Sequence, residues 1–130
     1  MTPKFRVWIK DYQVMRSVEF LAFNEKGVAE VFTNPIDGEP EDFRNARAPK
    51  QVVLMQSTGV LDDNGVEIYE GDVIIPDGGG ASLVHWRDGA FQVGYYGDIP
   101  YVIADYKSLT VVGNIYENPE LKKELMEVIE

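Results

Sequence analysis

The sequence contains no cysteine and only one histidine. The first absence removes disulfides, thiolate nucleophiles and Cys-ligated zinc or iron–sulfur centres, and it fits a reducing compartment. The second leaves the usual transition-metal ligand sets a single imidazole, so only carboxylate and carbonyl oxygens remain, and those suit hard cations. No cofactor is expected. Long apolar runs are also missing. Met1-Thr2-Pro3-Lys4 leads straight into an alternating segment, without the charged start and apolar core of a secretory signal. The expected location is the cytoplasm, with no membrane partner.

Basic charge is scarce in one part of the chain. Residues 1–50 hold eight Lys/Arg and eight Asp/Glu, whereas residues 51–130 hold four and fourteen, so the net charge of −10 lies wholly in the second part. A nucleic-acid binder needs a basic stripe to neutralise phosphates, and Arg87, Lys107, Lys122 and Lys123 do not make one. A nucleic-acid partner would have to rely on Arg6, Lys10, Arg16, Arg44, Arg47 and Lys50 of the first part. The acidic second part suits solubility or a basic partner.

What is present is alternation. Phe5, Val7 and Ile9 alternate with Arg6, Trp8 and Lys10, predicting a strand with one buried face. Val18, Phe20 and Ala22 alternate with Glu19, Leu21 and Phe23, and Val28 to Thr33 follows the turn Asn24-Glu25-Lys26-Gly27. Three strands in meander order are predicted for residues 1–33. Pro35, Gly38, Pro40 and Pro49 then punctuate a polar stretch, read as a loop or linker over 34–50 with Ile36 and Phe43 as apolar anchors.

Residues 51–117 carry short strands separated by turn signals at the spacing of a small barrel. Asn64-Gly65, flanked by Val60-Leu61 and by Val66 to Tyr69, is the strongest hairpin signal, and a primed turn would put both residues at positive φ. Gly71-Asp72 turns the chain into Val73 to Ile75. Asn118-Pro119 supplies an N-cap and an N1 proline for a short helix over 118–130, with Leu121, Leu125, Val128 and Ile129 on one face. The predicted fold is mainly β: an N-terminal β-meander subdomain, a C-terminal small β-barrel and a short C-terminal α-helix.

Candidate chemistry is sparse. With Gly65 at the glycine position of a calcium-binding EF loop, the first and last ligands would fall on Val60 and Gly71, which offer no side-chain oxygen. Asp62, Asp63 and Asn64 read better as turn formers. His85, the one histidine, stands beside Trp86 and three residues after Ser82, and a catalytic role would need Glu67, Glu70 and Asp72 to converge on it. Gly78-Gly79-Gly80 lacks the Gly-Lys-Ser/Thr of a phosphate-binding loop. No enzymatic role is expected. Tyr95, Tyr96, Tyr101, Trp86 and His85 are the candidate partner-binding residues, while Phe91, Tyr106 and Tyr116 complete an aromatic-rich second part in which core packing accounts for most rings.

Two blocks carry a resemblance. Gln56-Ser57-Thr58-Gly59-Val60-Leu61-Asp62-Asp63-Asn64-Gly65-Val66-Glu67-Ile68-Tyr69-Glu70-Gly71-Asp72-Val73 resembles the central signature of the YopX family of phage and prophage proteins. Val111-Val112-Gly113-Asn114-Ile115-Tyr116-Glu117-Asn118-Pro119-Glu120-Leu121 is similar to its C-terminal signature, and Lys4-Phe5-Arg6-Val7-Trp8 to its opening. Ser57 and Val60 stand where family members more usually carry an aromatic residue and a leucine. The resemblance implies an SH3-like barrel in the second part, expression from a mobile element inside a bacterium, no settled biochemical function and no catalytic residues. The signature residues Asn64, Gly65, Tyr69, Gly71, Asp72, Gly113, Asn114, Tyr116, Asn118 and Pro119 are read as structural. The functional expectation is a non-enzymatic module that binds a host or phage protein; a single-stranded nucleic-acid binder and a carboxylate-dependent hydrolase are the alternatives. Exposed edge strands in so small a β-protein leave homo-oligomerisation open.

Overall fold

The computed structural model describes residues 3–36, 38–39, 45–76, 80–87, 90–94, 101–102, 108–122 and 125. The described chain is mainly β with one short helix, as expected. It divides into two compact units, Lys4–Met55 and Gln56–Glu130, the latter with Met1–Pro3.

In the first unit, β1 (Phe5–Ile9) and β2 (Val14–Ser17) form an antiparallel hairpin with Ile9 opposite Val14. Its four-residue loop is held by Gln13, at φ +54°, whose N–H donates to the Ile9 carbonyl and whose Nε2 donates to that of Lys10. β3 (Phe20–Asn24) and β4 (Gly27–Thr33) form a second hairpin, to which β5 (Asn45–Arg47) adds in the order β3-β4-β5. The segment read as three strands is thus two hairpins, and the stretch read as a loop contains β5 and a 3-10 turn, Pro49–Gln51. Asn-Ala-Arg has little strand propensity of its own; the free edge of β4 supplies the partners, pairing Phe32 with Ala46.

The core of this unit is Val7, Ile9, Val31, Ile36 and Val52, with Val18 and Leu21 against it. Ile36 is buried, as an anchor of its stretch should be. On β3 Leu21 packs inward, whereas Phe20 and Phe23 are exposed. Strict alternation would put Phe23 on the face of Leu21; a register shift between Ala22 and Phe23 breaks it there. Trp8, expected to face outward, is buried together with Val7 and Ile9.

The unit boundary falls inside β6 (Val52–Leu61), which pairs with β7 (Glu67–Tyr69). In the second unit β8 (Asp72–Pro76), β9 (Ser82–Arg87), β10 (Ala90–Gly94), β11 (Tyr101–Val102) and β12 (Leu109–Asn114) form a curled antiparallel sheet in the order β11-β10-β9-β8-β12. Ile68, Ile74, Val84 and Leu109 are its core, with Val60, Phe91 and Val111 packed on them. Full burial of each aliphatic side chain is worth about 2 kcal/mol. Residues 119–122 are helical, starting at Pro119 as expected, and Leu121 and Leu125 are at least half-buried.

Candidate functional site

The signature segment is built around Asp62, at the mouth of the β6–β7 hairpin. The primed turn expected for Asn64-Gly65 is not formed: Gly65 alone takes positive φ, at +81°. The Gly65 N–H donates to the Asp62 carbonyl (3.0 Å) and the Asp62 N–H to the Val66 carbonyl (2.8 Å), closing a three-residue loop with glycine at its left-handed position. The buried Asp62 side chain explains the preference. Its Oδ1 accepts the N–H groups of Asn64 and Val66, each at 2.8 Å, and its Oδ2 accepts that of Val111 at 3.0 Å. The Val111 N–H does most to hold this carboxyl below its ordinary value; burial opposes, and the Val66 and Asn64 N–H groups reinforce it. Asp63 ties the same loop to β12: its N–H donates to the Leu109 carbonyl, and its Oδ2 accepts the Ser108 hydroxyl at 2.5 Å.

Two further signature carboxylates also serve the backbone. Glu70 Oε1 accepts the Gln56 N–H and buried Asp72 Oδ2 accepts the Tyr69 N–H, both at 2.8 Å. Tyr69 itself is half-buried. The Gly71 N–H reaches the Val84 carbonyl and its carbonyl takes the Ile115 N–H. In the C-terminal block, Asn114 Oδ1 accepts the N–H groups of Tyr116 and Glu117, its Nδ2 donates to Glu117 Oε1, and Asn118 Oδ1 accepts the Asn114 N–H. Gly113 lies so near Asn118 that a Cβ there would fall 2.5 Å from Oδ1. These are caps and crossings, chemically suited to fixing chain direction.

Ser82 and His85 do not meet. Three residues apart on β9, they point to opposite faces; Ser82 is buried with its hydroxyl donating to the Gly80 carbonyl, and His85 Nδ1 lies 3.3 Å from the Leu83 carbonyl oxygen. Among the described residues, no group of three His, Cys, Asp or Glu side chains is placed to hold a metal ion.

The aromatic candidates divide. Trp86 is 53% exposed and stands directly across from Phe91 on β10, ring centroids 4.7 Å apart and planes 72° apart, an edge-to-face pair. Phe91 also packs on the core, so one ring anchors the other. His85 is half-buried opposite Gln92. Tyr101 opens β11 opposite Val93. Tyr95 and Tyr96 lie outside the described residues, as do Phe43, Arg44, Tyr106 and Gly78-Gly79.

Of the basic residues considered for phosphate contacts, Arg47 is committed internally. Its guanidinium is buried, paired with Glu39 Oε1 at 2.9 Å, donates to Thr33 Oγ1 at 3.3 Å and stacks 5.6 Å from the Tyr12 ring centroid. Lys10 donates to the Lys50 carbonyl and Arg16 to that of Met15.

The sequence model of the family described as YopX protein matches residues 4–123. The chain belongs to the YopX family. Among solved structures, protein EF1440 from Enterococcus faecalis is 29% identical to this YopX-family chain, with 93% of this chain and 98% of that one covered and a TM-score of 0.70. YopX from Bacillus subtilis is 22% identical over 93% of this chain and 96% of that one, with a TM-score of 0.64, a likeness of fold. No curated protein matches the chain.

Both departures from the YopX signature are accommodated locally. Ser57 is buried and its hydroxyl accepts the N–H of Gly59, which at φ +78° sits where the β6–β7 register shifts. Val60 packs against the core cluster of its unit. Phe20, Phe23 and Tyr12 are exposed aromatics that sequence reasoning did not single out; Phe20 pairs edge-to-face with half-buried Phe32 across β3 and β4, 6.5 Å apart. A hairpin of Phe and Val with charged neighbours gives no signal of which face is outermost.

Proposed function

We propose that this YopX-family chain is a non-enzymatic protein-binding module acting in the cytoplasm of a bacterium that carries a phage or prophage. The observation that carries the reading is Trp86: a large aromatic ring held half out of the surface by Phe91, in the unit that contains the whole net charge of −10. Rigid, partly exposed aromatics are the residues from which protein interfaces draw most of their energy. The acidic unit suits a basic partner, through steering and charge complementarity. That Glu70 and Asp72, two of the three carboxylates the enzymatic alternative would need, each give an oxygen to a backbone N–H supports a structural use for them.

Parallel capture from bacterial lysate on the immobilised chain and on Trp86→Ala tests this. A basic protein retained by the parent should be lost from the variant, with affinity down roughly thirtyfold, the equivalent of about 2 kcal/mol. Capture unaffected by the substitution would refute the assignment of Trp86, and turnover in a substrate screen would refute the non-enzymatic reading. A gel shift on single-stranded nucleic acid that weakens steeply with salt would favour the nucleic-acid alternative.

A further inference from the structure

The sequence contains one Asn-Gly pair, Asn64-Gly65, and it lies at an exposed hairpin tip. Such a pair is intrinsically reactive. The Gly amide nitrogen, once its proton passes to solvent base, can attack the Asn side-chain Cγ because no Cβ on the glycine obstructs it. The new C–N bond closes a succinimide, and the side-chain nitrogen leaves as ammonia. Water then opens the ring at either carbonyl, to aspartate or to isoaspartate, whose main chain runs through the side-chain methylene. Net, asparagine and water become an acidic residue and ammonia.

Access does not oppose this reaction here: a Cβ built at Gly65 would meet nothing within 4 Å. The hydrogen bonding does oppose it. The attacking nitrogen's proton is engaged by the Asp62 carbonyl at 3.0 Å. On either side, the N–H groups of Asn64 and Val66 are both fixed on Asp62 Oδ1, and the Asp62 N–H closes the loop on the Val66 carbonyl. Asp62 is fixed in turn by Val111. The Asn64 Cγ must swing over the Gly65 nitrogen to react, and this backbone rotation requires several of these bonds to break together.

We propose that Asn64-Gly65 is a covalent modification site, deamidation through a succinimide, that the folded hairpin holds closed through Asp62 and that becomes reactive when the loop opens. Isoaspartate at position 64 lengthens the main chain inside the loop by one carbon, so the Gly65 N–H and Asp62 carbonyl no longer coincide and the β6–β7 register cannot re-form. A chain left unfolded therefore ages irreversibly, and a folded one does so far more slowly.

Peptide mapping with isoaspartate quantification tests this on the full chain, incubated at neutral pH either folded or in urea. Deamidation at Asn64 should be roughly tenfold or more slower in the folded chain, as a loop-opening equilibrium requires; equal rates would overturn the proposal. In Asp62→Ala, provided circular dichroism shows it folded, the rate should rise toward that in urea, and an unchanged rate would remove Asp62 from the account. Hydrogen exchange of the Gly65 amide in the parent supplies the same test if the variant does not fold: protection supports the closed loop, and free exchange refutes it. Refolding yield from urea should decline with incubation in step with isoaspartate at position 64 in the parent but hold steady in Asn64→Ser; full refolding of isoaspartyl chains would refute the register argument.

Discussion

Substituting Gly113→Ala probes the joint between β12 and the helix. The new methyl carbon would lie 2.5 Å from Asn118 Oδ1, 3.1 Å from Asn118 Cγ and 2.8 Å from Leu121 Cδ1. The leucine methyl ends a flexible side chain and can turn away. Asn118 cannot do so freely, because its Oδ1 accepts the Asn114 N–H and its carbonyl accepts the Leu121 N–H. Overpacking of this kind costs about 1–3 kcal/mol, and displacing Asn118 from the Asn114 amide adds about 1 kcal/mol. The total is about 2–4 kcal/mol. At about 2.1 cal/mol/K per residue, a chain of 130 residues loses about 4 °C per kcal/mol, so the melting temperature should fall by roughly 7–15 °C in a calorimetric or circular-dichroism melt. The cause is isolated by repeating Gly113→Ala in an Asn118→Ala background, which removes Oδ1 and Cγ. The cost of the methyl should then shrink by about 1 kcal/mol or more. A Gly113→Ala protein melting with the parent, or a cost unchanged by Asn118→Ala, would refute the close-approach argument.

Asp62→Asn should destabilise the chain at neutral pH, since an amide NH2 must then face a backbone N–H that the carboxylate accepts. Because the folded carboxyl is held below its ordinary value, the stabilisation is complete above the ordinary carboxylate range and is lost as pH falls through the folded value; the gap between parent and variant in urea midpoints should stay constant down to about pH 5 and close below it. Ile74→Ala, at a fully buried core position, should cost about 2–5 kcal/mol, whereas Ile75→Ala, 43% exposed one residue later, should cost under about 1 kcal/mol; similar melting temperatures would contradict the assigned face. Arg47→Met leaves Glu39 without its cation and should cost about 3 kcal/mol in chemical denaturation, with most of that recovered in Arg47→Met/Glu39→Gln.

What the sequence revealed follows the range of the interactions involved. Alternation places Val7, Ile9 and Val31 in a core because strand faces are decided by neighbours two residues away. The same rule fails at Phe23, where the shift between Ala22 and Phe23 is a pairing event with β4 that no local pattern records. Arg47 reads as a surface base in a polar stretch, but its partners Glu39 and Thr33 stand eight and fourteen residues away. Asp62 is the clearest case. Turn chemistry announces that it shapes the hairpin, yet its third acceptor role is toward a backbone amide 49 residues later, and an amide N–H carries no residue identity to be recognised. The separation of Ser82 and His85, by contrast, was legible from strand period alone, since an odd spacing on a strand divides two residues between faces.

The two signature blocks, far apart in sequence, are one joint in space. Asp62 binds the Val111 amide, Asp63 the Leu109 carbonyl, Gly71 the Ile115 amide, and β8 runs beside β12 from Asp72 opposite Asn114. Residues that secure a joint have their polar atoms spent on it, so they identify a fold while leaving little with which to contact a substrate or partner. The intervening strands β9 and β10 are under a lighter constraint. One face must supply Val84 and Phe91 to the core, and the joint asks only for the Val84 carbonyl, which accepts the Gly71 N–H. Trp86 lies on that less committed stretch, raised to the surface by a ring whose own burial is already secured. On the proposed binding role, mutations in the joint should act through stability, and mutations at Trp86 chiefly through affinity, with the melting temperature lowered only by the few degrees that loss of the Phe91 ring pair costs.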